Sequence, residues 1–168
     1  YGGNGSAPVP GQHGGAIFVQ DAAPTIRNCE FRNNRAALGS NLGYGGAICV
    51  LGGQPRVESC VFTGNRATRG GAISAIGAEV AITNCTFTGN KAWLEGGAGG
   101  AIYAQVHAVS ISNSTFIENS ADLGGASAII GAPLDITSSV FQRNHARPWI
   151  SMSATIPQAT ESGTPGEI

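Results

Sequence analysis

The sequence predicts an all-β solenoid, a parallel β-helix of about five to six coils, on three observations. A glycine pair starts five segments, at Gly14, Gly45, Gly70, Gly99 and Gly124, and a phenylalanine follows each start by seventeen residues. Those phenylalanines, Phe31, Phe62, Phe87, Phe116 and Phe141, each open an FxxNxA run. The runs place Asn34, Asn65, Asn90, Asn119 and Asn144, followed by Ala36, Ala67, Ala92, Ala121 and Ala146. Repeats of 31, 25, 29 and 25 residues, with apolar residues alternating inside each, suit a coil of three short strands.

The strands follow in order when each repeat is numbered from its first glycine as position 0. Positions 3 and 5 read Ile17/Val19, Ile48/Val50, Ile73/Ala75, Ile102/Ala104 and Ser127/Ile129, while position 4 (Phe18, Cys49, Ser74, Tyr103, Ala128) has no consistent chemistry. Apolar, variable, apolar is a strand with one buried face. Positions 10 and 12 form a second strand, from Pro24/Ile26 to Leu134/Ile136. Positions 15 and 17 form a third, from Cys29/Phe31 to Ser139/Phe141, with a turn expected near the Asn at position 20. Coils about 4.8 Å apart stack equal positions into ladders, Phe on Phe and buried Asn on Asn. The glycine pair fits a corner that a side chain would obstruct. Twenty-six glycines and period-two alternation oppose a helical repeat.

Composition narrows the function classes. Charged residues make up 11% of the chain, against about 25% in an ordinary globular domain, and the net charge is −1. That balance, with no Lys/Arg run, gives no reason to expect nucleic acid. No apolar stretch approaches the roughly 18 residues of a membrane helix. Residues 1–13 and 155–168, rich in Gly, Pro, Ser and Thr, read as extended tails flanking a β-helix over 14–154. Within the helix region, Met152 and Ala154 fit a partial sixth coil. Tyr1-Gly2-Gly3 echoes Tyr44-Gly45-Gly46, so the chain reads as a piece of a longer protein.

Scaffold residues explain most of the pattern, so candidate sites lie where it breaks. All length variation falls between the Ala at position 22 and the next glycine, in two long corners, 37–44 and 93–98. Leu38, Leu42, Tyr44, Trp93 and Leu94 would protrude there as a partner surface, or fold back over the corner. Trp149 replaces a corner glycine and joins this candidate assembly surface. Arg35, Arg66 and Lys91 recur at position 21 as a basic stripe, either for an anionic ligand or splayed into solvent. Asn4, Asn84 and Asn113 begin N-x-Ser/Thr sequons. Cys29, Cys60 and Cys85 stack inward, so Cys60–Cys85 or Cys29–Cys60 is within disulfide reach; the alternative is buried free thiols. Cys49 is expected to face outward unpaired.

Chemistry is sparse. Arg27, Glu30, Arg56 and Glu58 read as compensating surface charges. The three histidines fall at different repeat positions, and zinc spacing is absent. No cofactor or metal is expected, and no catalytic residues stand out.

GGAI at 14–17, 45–48, 70–73 and 99–102, GGAS at 124–127, and FRNN, FTGN, FTGN, FIEN and FQRN together resemble the polymorphic outer membrane protein repeats. The resemblance implies a right-handed parallel β-helix on an extracellular or cell-surface protein, often an adhesin. Open strand edges at the ends add an expectation of head-to-tail stacking into a fibre. The alternative is a glycan-binding or polysaccharide-cleaving module using the basic stripe and long corners.

Overall fold

In a computed structural model, residues 13–36, 42–93, 95–105 and 107–147 are described. They form a parallel β-solenoid in which every strand pairs with its equivalent one coil away. Four complete turns run from Gly14 to Gly124, and a fifth pass reaches Ala146. The expected partial sixth coil, Trp149, and both proposed tails except His13 lie outside the described residues. Among the described residues no helix is long and apolar enough to cross a membrane.

Coils two to five carry four strands each, one more than the sequence suggested, and the first carries three and a bridge at Arg35. The first sheet stacks Ile17–Gln20, Ile48–Leu51, Ile73–Ile76, Ile102–Gln105 and Ser127–Ile130. The second stacks Thr25–Arg27, Arg56–Glu58, Val80–Thr83, Val109–Ser112 and Leu134–Thr137. The third runs from Glu30–Arg32 through Val61–Thr63, Thr86–Thr88 and Thr115–Ile117 to Val140–Gln142. The fourth is built from two-residue strands, Arg66–Ala67, Lys91–Ala92, Ser120–Ala121 and His145–Ala146, extended by an Arg35–Arg66 bridge. Two residues give too short an alternation to be seen as a strand in the sequence.

Left-handed backbone makes the corners. Positive φ recurs at position 0 and at three others, shown in one coil by Gly70, Gly77, Asn84 and Gly89. Glycine suits such positions because it has no Cβ, and Asn tolerates them better than most residues. The recurring Gly and Asn at positions 7, 14 and 19 are thus a corner code beyond the GG pair.

The core is two sets of ladders. Phe31, Phe62, Phe87, Phe116 and Phe141 stack with centroids 4.6–4.8 Å apart and tilts of at most 7°. Coil spacing sets that separation, and registry makes the rings parallel. Beside them Asn65, Asn90 and Asn119 are wholly buried and pass hydrogen bonds of 2.9–3.0 Å from coil to coil. Each amide also donates to a Phe carbonyl one coil back, as Asn90 Nδ2 does to Phe62 O at 3.0 Å. The amides therefore satisfy backbone at the turn that follows the third sheet.

Candidate functional site

The first sheet is covered on its outer face as well, which overturns the expectation that position 4 faces solvent. His13, Tyr44, Arg69, Ala98 and Leu123, the residues just before each glycine pair, form an in-register column of β-bridges. Across the corner stand Phe18, Cys49, Ser74, Tyr103 and Ala128. The two columns compensate in size: Tyr44 with Cys49, Arg69 with Ser74, Ala98 with Tyr103, Leu123 with Ala128. His13 and Phe18, on the first coil, are both large, and Phe18 is 39% exposed. Position 4 looked featureless because its identity is set by a residue five places earlier.

Cys49 is consequently wholly buried, not outward, and burial pushes its thiol up to about 12. Tyr44 does not protrude either. It is half-buried, its ring 5.3 Å from His13 and 6.4 Å from Tyr103. Arg69 Nη1 donates to Tyr44 Oη at 3.4 Å and Tyr103 Oη at 3.3 Å, with its guanidinium 5.6 and 5.3 Å from those rings. Tyr103 donates to Gln105 Oε1 at 3.2 Å. Burial raises the Tyr103 phenol above its ordinary value, opposed by the Arg69 cation. Cation–π contact and hydrogen bonds make Arg69 a clasp across three coils.

The basic stripe is real as geometry. Arg35, Arg66 and Lys91 occupy successive rungs, joined by Ser120 and His145. None of the three cations has an ion-pair partner among the described residues, where the pairs are Arg32–Glu30, Arg143–Glu118 and Arg147–Asp122. Arg35 lies 4.3 Å over the ring of Trp93, which is half-buried against the corner. Of the expected protruding residues, Leu42 is exposed, at 49%, and Tyr44 and Trp93 fold back; Leu38 and Leu94 lie outside the described residues.

Cys60 and Cys85 are free thiols, as are Cys29 and Cys49, so neither candidate disulfide is formed. Cys60 Sγ donates to Glu58 O at 3.2 Å and Cys85 Sγ to Thr83 O at 3.3 Å. Each sulfur also reaches a carbonyl of the preceding coil, Cys60 Sγ to Ile26 O at 3.6 Å and Cys85 Sγ to Val57 O at 3.5 Å. Burial pushes the Cys85 thiol up to about 11 and raises that of Cys60. In native protein at pH 8, a thiol-alkylating reagent is expected to modify exposed Cys29 first, all four thiols reacting only in denaturant. Mass spectrometry of the adducts checks this. Folded pKa values above the ordinary value of 9.0 also mean stability is full below pH 9. It falls as pH rises toward 11–12, because the unfolded chain then binds fewer protons.

Asn84 and Asn113 are exposed at left-handed corners, with φ of 55° and 49°. Asn84 Nδ2 donates to Ser59 Oγ at 3.0 Å. Asn4 lies outside the described residues. Arg56, Glu79, Ser110 and Asp135 line an open groove of about 230 Å³ on the outer face of the second sheet, floored by Ala81. Gln54 Nε2 donates to Glu79 Oε2 at 2.9 Å on its wall. Sequence reasoning missed this groove; the signal was small Ala81 and Ser110 between charged residues at position 11. Among the described residues no cluster of His, Cys, Asp or Glu could hold a metal ion.

No curated relative and no solved structure matches the chain. A family model described as a right handed beta helix region matches residues 12–147, the span from the first corner column to the end of the fifth coil. With ladders of equal residues, parallel pairing throughout and that match over most of its length, the chain belongs to the right-handed β-helix family.

Proposed function

We propose that this β-helix is a non-catalytic structural or adhesive element of an extracellular or cell-surface protein, of the polymorphic outer membrane protein repeat kind, and that copies stack end to end. The observation that carries the reading is the contrast between middle and end coils. Val109, Ile111 and Phe116 on the fourth coil are buried, while their equivalents on the fifth coil are less covered, Leu134 being 37% exposed and Ile136 and Phe141 half-buried. Such exposed apolar ladders and strand edges favour pairing with another chain. The basic stripe beside Trp93 supplies a lateral surface for an acidic glycan or cell-surface partner. Asn84 and Asn113 offer exposed glycan acceptors. Exposed Glu30 and Glu118 and buried Asp122 each face an arginine, which supports a charge-compensating role over acid/base work.

Electron microscopy and sedimentation of the purified chain over a concentration series test the reading. Elongated oligomers or filaments growing with concentration are expected; dispersed monomers throughout would remove the stacking. The second reading rests on the groove, whose Arg56, Glu79 and Asp135 suit a saccharide. Release of reducing ends from a polysaccharide panel would move the assignment to it.

A further inference from the structure

Two hydrogen-bond ladders in this solenoid have a direction. From Asn34 onward, each Asn gives its N–H and Nδ2 to the Oδ1 of the Asn on the next coil, ending at Asn144. The position-15 ladder runs the same way: Cys60 N–H to Cys85 Sγ at 3.4 Å, Cys85 N–H to Ser114 Oγ and Ser114 N–H to Ser139 Oγ, both at 3.1 Å. Backbone bonds between coils run both ways, Arg56, Val61 and Arg66 N–H bonding back to Pro24, Cys29 and Asn34 C=O while Asp21, Asn28 and Asn33 N–H bond forward to Leu51, Glu58 and Thr63 C=O. The direction lies in the side-chain ladders, and there the two ends are opposite. The first coil leaves Asn34 Oδ1, Cys29 Sγ and the N–H groups of Thr25, Glu30 and Arg35 open among the described residues. Among the described residues the fifth coil leaves open Asn144 and Ser139 N–H, with the C=O groups of Leu134, Ser139 and Asn144.

Resting on the stacking reading above, we propose a specific interface: the fifth coil of one copy seats on the first coil of a second copy in the register that joins coils within the chain. Phe141 then meets Phe31, Asn144 donates to Asn34 Oδ1, and Ser139 N–H meets Cys29 Sγ. Asn34 Nδ2 takes the carbonyl of Phe141, as Asn144 Nδ2 takes that of Phe116 at 3.0 Å. Outward neighbours are compatible: Asp135 with Thr25, Thr137 with Arg27, Val140 with Glu30, Gln142 with Arg32. His145 beside Arg35 repeats the basic pairing of Arg66 with Lys91. The occupant is a second copy because continuing the ladders needs a Cys/Ser-x-Phe-x-x-Asn run. Residues 1–12 and 148–168 contain no Phe, and their one Asn is Asn4. The first coil supplies that run as Cys29 to Asn34.

Sedimentation equilibrium of the intact chain and three variants tests the interface. Val140→Glu places a like charge opposite Glu30 of the next copy and should weaken self-association on the order of fivefold. Adding Glu30→Lys to the same chain should restore it. Glu30→Pro removes an N–H with no partner among the described residues and sets a ring into the interface, so association should be lost. Within their own chain Val140 and Glu30 pair with Thr115 and Val61, so unchanged far-UV circular dichroism is expected for all three. A wild-type chain that stays monomeric would overturn the stacking itself and this interface with it, pointing to ends covered by the chain's own segments. Assembly that ignores Val140→Glu and Glu30→Pro, or is not restored by the double variant, would overturn this register while leaving stacking intact.

Discussion

Gly71→Ala is expected to destabilise the fold by about 4 kcal/mol or more, enough to remove most of the stability of a marginal domain. A Cβ at this position would lie 2.1 Å from Gly100 O, 2.5 Å from Lys91 N and 2.8 Å from Lys91 C. All three are backbone atoms, one in the next coil and two in the fourth sheet, so no side chain can swing away. Relief requires prising coils apart, which breaks ladder hydrogen bonds on both sides. Gly46 and Gly100 stand in the same relation to Gly71 O and Gly125 O, at 2.0 and 1.9 Å. Gly89→Ala is the control. Its φ is +61°, but nothing lies within 4 Å of an added Cβ, so the cost is the left-handed conformation alone, about 1–2 kcal/mol. Urea midpoints followed by circular dichroism should rank Gly71→Ala far below Gly89→Ala and wild type. Equal midpoints would show that the corner is looser than this geometry.

Asn90→Ala should cost on the order of 4 kcal/mol, because it strands several buried groups at once. Asn90 Oδ1 accepts from Asn65 N–H at 3.0 Å and Asn65 Nδ2 at 2.9 Å. Its own Nδ2 donates to Phe62 O at 3.0 Å and Asn119 Oδ1 at 2.9 Å. With Asn90 fully buried, water cannot replace these partners without opening the coil. Asn34→Ala removes donors at a half-buried end and strands no donor one coil back, so about 1 kcal/mol is expected. Amide hydrogen exchange distinguishes the two: Asn65 N–H should lose protection in Asn90→Ala and keep it in Asn34→Ala, whose Asn65 bond to Asn90 is untouched. A midpoint shift no larger for Asn90 than for Asn34 would overturn the shared-ladder account. Because repeat proteins can unfold by parts, midpoints from two probes are compared before free energies are extracted.

The ladders were legible because a solenoid repeats the same physical environment each coil. Phe31 to Phe141 and Asn34 to Asn144 could be assigned inward from spacing alone, and their in-register stacking follows. Cys49 could not. It sits at position 4, on the face where Tyr44 from the variable corner packs with Ala98, Tyr103 and Ala128, so no single column of the repeat reveals its burial. The same holds for Tyr44 and Trp93, for which spacing left protruding and folding back both open and which fold against Tyr103 and beneath Arg35. For Arg35, Arg66 and Lys91 the common rung was readable from spacing, but not that Arg35 turns along the axis onto an aromatic ring.

By itself the sequence determined the coil path: fixed Gly-to-Ala spacing sets where each strand lies, and period-two alternation sets which residues point inward. Tertiary structure alone decided what covers the outside. Size matching across a corner, the choice between thiols donating to backbone carbonyls and a disulfide between coils, and the direction of the side-chain ladders depend on atoms from different coils at distances that local pattern does not encode.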